Sequence, residues 1–348
     1  MSDLPLIGIT LGDPSGIGSE IIIKALSDSK VFDICRPLVL GDPGALGLSV
    51  KGLNKASLKE ITKPSEATSR PGQVDFMAIS RLKRDLVVPG NPSVEGGKAM
   101  VKYIIRAVEM AQQGELAAMV TCPISKVLMH EAGYIYEGHT QLISHLTNTG
   151  NYTMMLAGER LRVALVTIHC TLKEVPDILD EGKIYRTITI ASKALKVDFG
   201  LKRPRLAVAA LNPHAGESGL FGQEEKEIIR PAVNRARYEG CQVEGPFPAD
   251  TLFYRAANGQ FDAVIAMYHD QGLIPLKLLH FSDAVNITLG LPIIRTSVDH
   301  GTAYDIAGKG VADPSSLKAA IRMAAKMAGN RRSIKGARGV EWSRGLGE

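Results

Sequence analysis

The segment MYHDQGLIPLK (residues 267–277) indicates the end of a buried strand in an open α/β sheet. It follows residues 263–267, a short apolar run that is typical of a strand buried in a parallel sheet. In open α/β sheets, ligands bind in the crevice beyond the carboxyl ends of the strands. We therefore expect four polar side chains of this segment to face a ligand: His269, Asp270, Gln271 and Lys277.

Two further apolar runs end in a histidine. Residues 162–168 lead into His169, and residues 205–211 lead into His214. A lone histidine is more often a core residue than a ligand, and the wide spacing of these three matches no short metal motif. Three histidines at the carboxyl ends of strands nevertheless predict a divalent-metal site, formed by His169, His214 and His269. Their imidazoles suit Zn²⁺ or another divalent ion, and they need not come from one chain.

The rest of the chain alternates strand-like and helix-like patterns, which predicts an α/β fold with a largely parallel sheet. A long amphipathic helix is expected at residues 94–113, and a second helix is expected to begin after Asp313 and Pro314. Residues 51–88 show little periodicity and are expected to form a surface excursion. Further strands are predicted at residues 5–11, 37–40, 117–120, 284–289 and 292–297.

Composition excludes several classes of protein. The 348 residues have no apolar run of membrane-spanning length, and the N-terminus lacks a signal-type sequence. Four scattered cysteines fit a reducing compartment, so we expect a cytoplasmic protein. The net charge is +5, of which residues 331–348 carry +3 (five basic and two acidic residues). With about +2 left for the body and no basic stripe, we expect no nucleic-acid partner.

Three polar features have two interpretations each. The glycine-rich turn GDPSGIG (residues 12–18) could present backbone N–H groups to an anion, or it could be only a tight turn. His139 and Thr140 precede an apolar helix, where they could bind an anionic ligand or cap the helix. Asn286 and Arg295 interrupt apolar strands. A buried arginine needs an anion, which is either an internal carboxylate or a group of the substrate.

Several long motifs resemble those of the 4-hydroxythreonine-4-phosphate dehydrogenase family of vitamin B6 synthesis. The resemblance runs from about residue 5 to residue 328. HGTAYDIAGKGVADP (residues 300–314) separately resembles the nucleotide-binding loop of isopropylmalate dehydrogenase. The motifs that carry the family resemblance are GDPSGIGSE, TCPISK, GHTQ, LNPHAGESGLFGQEE, GPFPADTLF, AMYHDQGLIPLK and VNITLGLPIIRTSVDHGTA.

This resemblance implies an architecture. The expected fold is a two-lobed α/β fold like that of isocitrate and isopropylmalate dehydrogenases, with largely parallel sheets and the active site in the cleft between the lobes. Residues 1–125 and 291–330 would form the nucleotide-binding lobe. Residues 126–290 would form the metal, substrate and dimerisation lobe, and residues 331–348 a basic tail. The active site would be shared between the two subunits of a homodimer.

The resemblance also implies roles for individual residues. His169, His214 and His269 would bind the divalent metal, which is Zn²⁺ or else Mg²⁺, Co²⁺ or Mn²⁺. Asp305 would accept hydrogen bonds from the adenosine ribose of NAD. The general base would be Lys277 or Asp250, and the motifs do not decide between them. The substrate-binding set would be His139, Thr140, Lys277, Asn286 and Arg295.

The implied reaction is a metal-assisted oxidation by NAD of the 3-hydroxyl of 4-phosphooxy-L-threonine. Loss of CO₂ would then give 3-amino-2-oxopropyl phosphate. The same motifs resemble a paralogous group that oxidises 4-phospho-D-threonate or 4-phospho-D-erythronate in sugar-acid breakdown. Two less favoured alternatives are an aromatic cis-dihydrodiol carboxylate dehydrogenase and a non-catalytic binding protein.

Overall fold

The computed structural model describes residues 4–53 and 56–337, which form two compact units. The first unit contains the described residues up to Gly150 and those from Leu291 onward, and the second contains Asn151–Gly290. The first boundary differs from the predicted one, which lay at residue 125. Residues 126–150 belong to the first unit because their two helices pack against its long helix, Val94–Gln112.

Strands and helices alternate along the chain, as the sequence predicted. The first unit begins with β1 Leu6–Thr10, α1 Gly18–Leu26, β2 Arg36–Gly41, α2 Pro43–Leu53, β3 Ser57–Glu60, β4 Gln73–Ala78, α3 Val94–Gln112, β5 Ala118–Thr121, α4 Lys126–Glu131 and α5 His139–Leu146. The second unit contains β6 Thr153–Ala157, β7 Arg162–Leu165, α6 Val175–Ile178, α7 Glu181–Val197, β8 Leu206–Ala209, α8 Arg230–Tyr238, β9 Val243–Phe247, α9 Ala249–Ala257, β10 Ala263–Ala266, α10 His269–Leu279 and β11 Val285–Leu289. The chain then completes the first unit with β12 Arg295–Ser297 and α11 Ser315–Ala337.

Most strand pairs are parallel. In the first unit the strand order is β3-β4-β2-β1-β5-β12, and every neighbouring pair is parallel. In the second unit the order is β11-β6-β7-β10-β8-β9, and only the pairs β11–β6 and β6–β7 are antiparallel. The predicted α/β fold with a largely parallel sheet is therefore confirmed.

Helix α3 shows why this sequence forms the expected layers. Ser93 caps its N-terminus by accepting a hydrogen bond from the backbone N–H of Gly96 at 3.1 Å. Apolar residues then recur at helical spacing, so that Met100 and Ile104 lie on one face and are fully buried. The helix predicted at residues 94–113 is thus confirmed to within one residue.

The prediction was wrong for residues 51–88, which are not an irregular excursion. This segment supplies β3 and β4 at the edge of the first sheet. Strand β3 is largely exposed and carries no apolar alternation. Strand β4 is buried but contains a charged residue, Asp75, whose carboxylate is satisfied by the backbone N–H of Thr68 at 2.6 Å. The exposure of β3 and the charged residue in β4 explain why neither segment shows the hydrophobicity pattern of a strand.

The end of the chain also differs from the prediction. Helix α11 starts where expected, because the Asp313 carboxylate accepts a hydrogen bond from the backbone N–H of Ser315 at 2.9 Å. It continues to Ala337 and so enters the predicted basic tail. Residues 331–337 of the predicted basic tail are therefore helical, and residues 338–348 lie outside the described part of the chain.

Among the described residues, no helix combines the length and the apolar character that a bilayer crossing requires.

The buried face of α3 makes a test of this packing possible. We expect Ile104→Ala to lower the free energy of unfolding by about 2–5 kcal/mol, because it removes a fully buried side chain and leaves a cavity. Lys102→Ala on the exposed face of the same helix should change it by less than about 0.5 kcal/mol. Urea unfolding of both variants measures the difference. Equal losses would contradict the assigned burial.

Candidate functional site

Arg295 is a buried cation in the first unit. It lies in β12 with 3% of its surface exposed, beside the end of β5. Its Nε and Nη2 atoms donate hydrogen bonds to the Thr121 hydroxyl at 3.2 and 2.9 Å. Burial lowers the pKa of Arg295 to about 9, so the guanidinium remains charged at neutral pH. The structure thus holds a positive charge beside Thr121, the last residue of β5.

His139 is close enough to Arg295 for the positive charge of the guanidinium to affect its pKa. It is the first residue of α5, and its Nε2 atom is shielded from solvent without a hydrogen-bond partner among the described residues. Its pKa is held well below the ordinary value, first by burial and then by the positive charges of Arg295 and Lys126. The imidazole is therefore neutral at physiological pH, and its buried nitrogen can meet a polar group of a ligand.

Neither His139 nor Thr140 caps helix α5, so the capping interpretation is not supported. The N-cap of α5 is Gly138, and no side chain makes a cap hydrogen bond there. Lys126, the first residue of α4, approaches this helix end: its Cε lies 3.5 Å from the position that a Cβ on Gly138 would occupy. Lys126 was not predicted as a site residue, although TCPISK places it just beyond the end of β5. We call Thr121, Lys126, His139 and Arg295 the Arg295 cluster.

The second unit brings two of the three predicted histidines together. His169 follows β7 and His269 begins α10, and their ring centroids are 6.3 Å apart. They are neighbours because β7 and β10 keep pairing beyond their ends, with Val166 N–H bonded to the Ala266 carbonyl at 2.9 Å. Two imidazoles bound to one tetrahedral ion at about 2.1 Å would have ring centres roughly 5 Å apart. The observed pair is wider than that, so the two rings are neighbours that would have to move closer together to share an ion.

His269 is oriented by a neighbouring carboxylate. Its Nδ1 lies 2.7 Å from Oδ1 of Asp270. If Nδ1 carries the proton of the neutral ring, the lone pair of Nε2 faces away from Asp270 and is available to a metal. The segments around both histidines line a cavity of about 530 Å³, a volume suited to a small metabolite.

His214 is held in an unusual backbone conformation. It lies in the segment Pro213–Gly219, where six consecutive residues from His214 onward have positive φ, four of them non-glycine. A left-handed conformation costs about 1–2 kcal/mol for each such residue, and strain of this kind concentrates at functional sites. The buried carboxylate of Glu225 anchors the segment by accepting hydrogen bonds from the backbone N–H groups of Leu211 at 2.8 Å and Asn212 at 2.7 Å.

Within residues 4–53 and 56–337 of a single chain, no three histidine, cysteine or carboxylate side chains are arranged to hold a metal. His169 and His269 meet, and the convergence of His214 with them is not seen in one chain. The predicted contribution of a partner subunit stays a prediction.

The remaining predicted residues lie at separate places. Lys277 is half-buried on α10, with its ammonium 5.7 Å from the centre of the Phe281 ring. Asn286 is half-buried in β11, and Asp250 is exposed in the first turn of α9. Asp305 is exposed in the loop that joins β12 to α11 in the first unit.

The structure decides between the two interpretations of the glycine-rich turn at residues 12–18. A Cβ on Gly18 would lie 2.0 Å from the Leu11 carbonyl oxygen, so close packing alone requires glycine there. The backbone N–H groups of Asp13, Gly16 and Ile17 donate to carbonyls of the chain, and that of Ser15 donates to the Asp13 carboxylate. These groups are therefore used internally, which supports the tight-turn interpretation.

Comparison with known proteins identifies the family. The model of the family described as "Pyridoxal phosphate biosynthetic protein PdxA" matches residues 33–324. The chain belongs to the PdxA family. A 4-hydroxythreonine-4-phosphate dehydrogenase from Desulforapulum autotrophicum is 55% identical over 326 residues, which cover 93% of this chain and 96% of the relative.

Other relatives of this PdxA-family chain carry a second name. A D-threonate 4-phosphate dehydrogenase from Cupriavidus necator is 46% identical over 334 residues, covering 95% of this chain and all of the relative. The crystal structure of a 4-hydroxythreonine-4-phosphate dehydrogenase from Burkholderia phymatum is 45% identical, with a TM-score of 0.84, and the match covers 93% of this chain and 98% of that chain. The predicted family is confirmed, and the names of these relatives support a dehydrogenase activity.

The low pKa of His139 predicts how stability depends on pH. The unfolded chain takes up a proton on this histidine near pH 6.5, whereas the folded chain does so only at lower pH. The free energy of unfolding should therefore fall as the pH drops below about 6.5, by up to about 1.4 kcal/mol per pH unit from this residue.

Urea unfolding between about pH 7 and pH 5 measures this slope. His139→Gln should have a shallower slope than the wild type, while Val127→Ala, which changes an exposed residue of α4 without a titratable group, should keep the wild-type slope. A His139→Gln variant with an unchanged slope would show that the histidine is not held neutral by the fold.

Proposed function

We propose that this chain is an NAD-dependent and divalent-metal-dependent dehydrogenase that oxidises the 3-hydroxyl of 4-phosphooxy-L-threonine. Decarboxylation of the β-keto acid gives 3-amino-2-oxopropyl phosphate, an intermediate of pyridoxine 5'-phosphate synthesis. The observation that carries the proposal is the pairing of His169 and His269 beside a cavity of about 530 Å³. The identity of 55% to a relative of that name supports it.

We propose His169 and His269 as ligands of the metal, with His214 completing the set from the partner subunit of a homodimer. Imidazole nitrogens suit Zn²⁺, and also Co²⁺ or Mn²⁺ if oxygen ligands from the substrate are added; Mg²⁺ prefers oxygen and is the weakest match. Asp270 would keep His269 in the required orientation. When bound, the ion would act as a Lewis acid toward the hydroxyl that is oxidised.

We propose that the Arg295 cluster binds the anionic part of the substrate. Arg295 and Lys126 supply positive charge, and the planar guanidinium can pair with a phosphate or carboxylate through two donors. The neutral His139 contributes its buried nitrogen as a hydrogen-bonding group. Thr140, Lys277 and Asn286 are proposed as further substrate ligands on the strength of the family motifs.

The proton of the oxidised hydroxyl must pass to a base, for which Lys277 and Asp250 are both candidates. Lys277 is half-buried on the helix that begins with His269, whereas Asp250 is exposed. When bound, NAD supplies the hydride acceptor, and Asp305 would accept hydrogen bonds from its adenosine ribose. A carboxylate at that position repels the additional phosphate of NADP, so we propose a preference for NAD.

A second candidate function is the oxidation of D-threonate 4-phosphate. The identity of 46% to a relative with that name over 95% of this chain favours it. Both substrates carry a phosphate and a carboxylate, which the Arg295 cluster would bind alike. They differ at the carbon that bears an amino group in 4-phosphooxy-L-threonine and a hydroxyl in the threonate.

The substrate assignment is tested by the rate of NADH formation with each compound under identical conditions. We expect kcat/KM for 4-phosphooxy-L-threonine to exceed that for 4-phospho-D-threonate by at least about tenfold, since an exchanged polar group leaves a partner unsatisfied. The reverse preference would assign the chain to the second function. No NADH with either compound, in the presence of Zn²⁺, Mn²⁺, Co²⁺ or Mg²⁺, would refute both.

The metal assignment is tested by removing one imidazole. We expect His169→Ala to lower kcat/KM at least about 100-fold and to weaken Zn²⁺ binding in a calorimetric titration, because a ligand of the ion is lost. His130→Ala, at an exposed histidine of the first unit, should match the wild type in both measurements. A His169→Ala variant that binds Zn²⁺ as tightly as the wild type would exclude this histidine as a ligand, whatever its activity.

A further inference from the structure

The loop at residues 302–312, which carries Asp305, is attached to the glycine-rich turn at residues 12–18 and to helix α1. Its first attachment is at Thr302, whose carbonyl accepts a hydrogen bond from the backbone N–H of Ile17 at 3.1 Å. Gly16 lies against the same carbonyl: a Cβ on this residue would be 3.0 Å from the Thr302 oxygen. The glycine-rich turn therefore touches the loop backbone directly.

The second attachment joins two side chains. The Tyr304 hydroxyl donates a hydrogen bond to Oδ2 of Asp13 at 2.6 Å. Asp13 is 1% exposed, and its other oxygen accepts a hydrogen bond from the backbone N–H of Ser15 at 2.9 Å. Burial and the neighbouring carboxylate raise the pKa of Tyr304, so the phenol stays protonated and remains a donor. Tyr304 directly precedes Asp305 in the chain.

The third attachment is an ion pair of α1 that holds the far end of the loop. Glu20 and Lys24, one helical turn apart, form an ion pair at 3.0 Å with little exposure to solvent. The Glu20 carboxylate accepts hydrogen bonds from the backbone N–H groups of Gly310 at 3.2 Å and Ala312 at 2.8 Å. The Lys24 ammonium donates to the carbonyls of the same two residues, at 2.8 and 2.6 Å. Both charges therefore bind the loop backbone.

We propose that Asp13, Glu20 and Lys24 are positioning residues that act through this loop on Asp305 and so determine the affinity for the dinucleotide. The proposal rests on the proposed use of NAD. It also gives a function to the turn at residues 12–18, whose N–H groups are used within the chain: the turn is the support of the loop. Asp305 itself is exposed to solvent and lies between the attachments at Tyr304 and Gly310.

The physical basis is preorganisation. A loop that becomes ordered only when a ligand binds loses conformational entropy at that moment, and the affinity is reduced accordingly. Attachments that exist in the free protein remove most of that loss before the dinucleotide arrives. Weakening one attachment should therefore weaken dinucleotide binding, although none of the three positioning residues needs to touch the ligand.

Tyr304→Phe tests the second attachment, because it removes one hydroxyl and keeps the ring. In a fluorescence titration of the full-length chain, the Kd for NADH should rise about fivefold, which is the effect of one lost hydrogen bond. The KM for NAD should rise by a similar factor, while kcat and the KM for the phosphorylated substrate stay within about twofold of the wild type.

Tyr103→Phe is the matched control. Tyr103 is fully buried in α3, and its hydroxyl bonds to Ser80 at 2.6 Å and not to the loop. This variant should lose stability as Tyr304→Phe does, but it should bind NADH like the wild type. If Tyr304→Phe also binds NADH like the wild type, the attachment is merely structural and the proposal is overturned.

A second pair of variants tests the first attachment without removing a hydrogen bond. Gly16→Ala places a methyl group against the Thr302 carbonyl and should displace the loop, so the Kd for NADH should again rise several-fold. Gly47→Ala in α2 meets nothing within 4 Å and should leave the Kd unchanged. Equal Kd values for Gly16→Ala and the wild type would contradict the proposal.

The wild-type titration separates this inference from the proposed function. A wild-type chain that binds neither NADH nor NAD would refute the use of NAD, and with it the inference. A wild-type chain that binds NADH, together with unchanged Kd values in Tyr304→Phe and Gly16→Ala, would overturn the inference alone.

Discussion

Parallel pairing of β7, β10 and β8 is the constraint on which the candidate metal site depends. Val163 pairs with Val264, and Leu206 pairs with Ala263, so the three strands run side by side in the same direction. Residues that follow their carboxyl ends must then emerge at one edge of the sheet. The backbone bonds from Val166 and Thr167 extend the pairing past the strand ends and carry His169 toward His269. The proximity of His169 and His269 is therefore a consequence of strand direction.

This constraint explains which parts of the site a single sequence can predict. His169 and His269 were predictable because each follows a continuous apolar run, and such runs report strand ends well. Arg295 was conspicuous for the opposite reason, as a charge inside an apolar strand. The family motifs added Asp305, whose exposed side chain gives no signal of its own.

Other features could not be predicted, because they depend on contacts between distant segments. Lys126 is an ordinary lysine in the sequence and matters only because α5 begins beside it. Tyr304 and Asp13 are separated by most of the chain and meet through the fold. Strands β3 and β4 were missed, since β3 is an exposed edge strand and β4 contains the charged residue Asp75; β6 and β9 were missed as well. The boundary at residue 150 follows from the packing of α4 and α5 on α3.

His214 lies in the left-handed segment Pro213–Gly219. The buried carboxylate of Glu225 holds the backbone just before this segment, so the position of His214 depends on Glu225. A substitution at Glu225 would thus displace His214, although a sequence alignment would still show the histidine. A genome survey that recognises inactive homologues only by the loss of His169, His214 or His269 would classify such a copy as active. Under the role proposed for His214, Glu225 belongs among the positions by which decayed copies of these enzymes are distinguished from working ones.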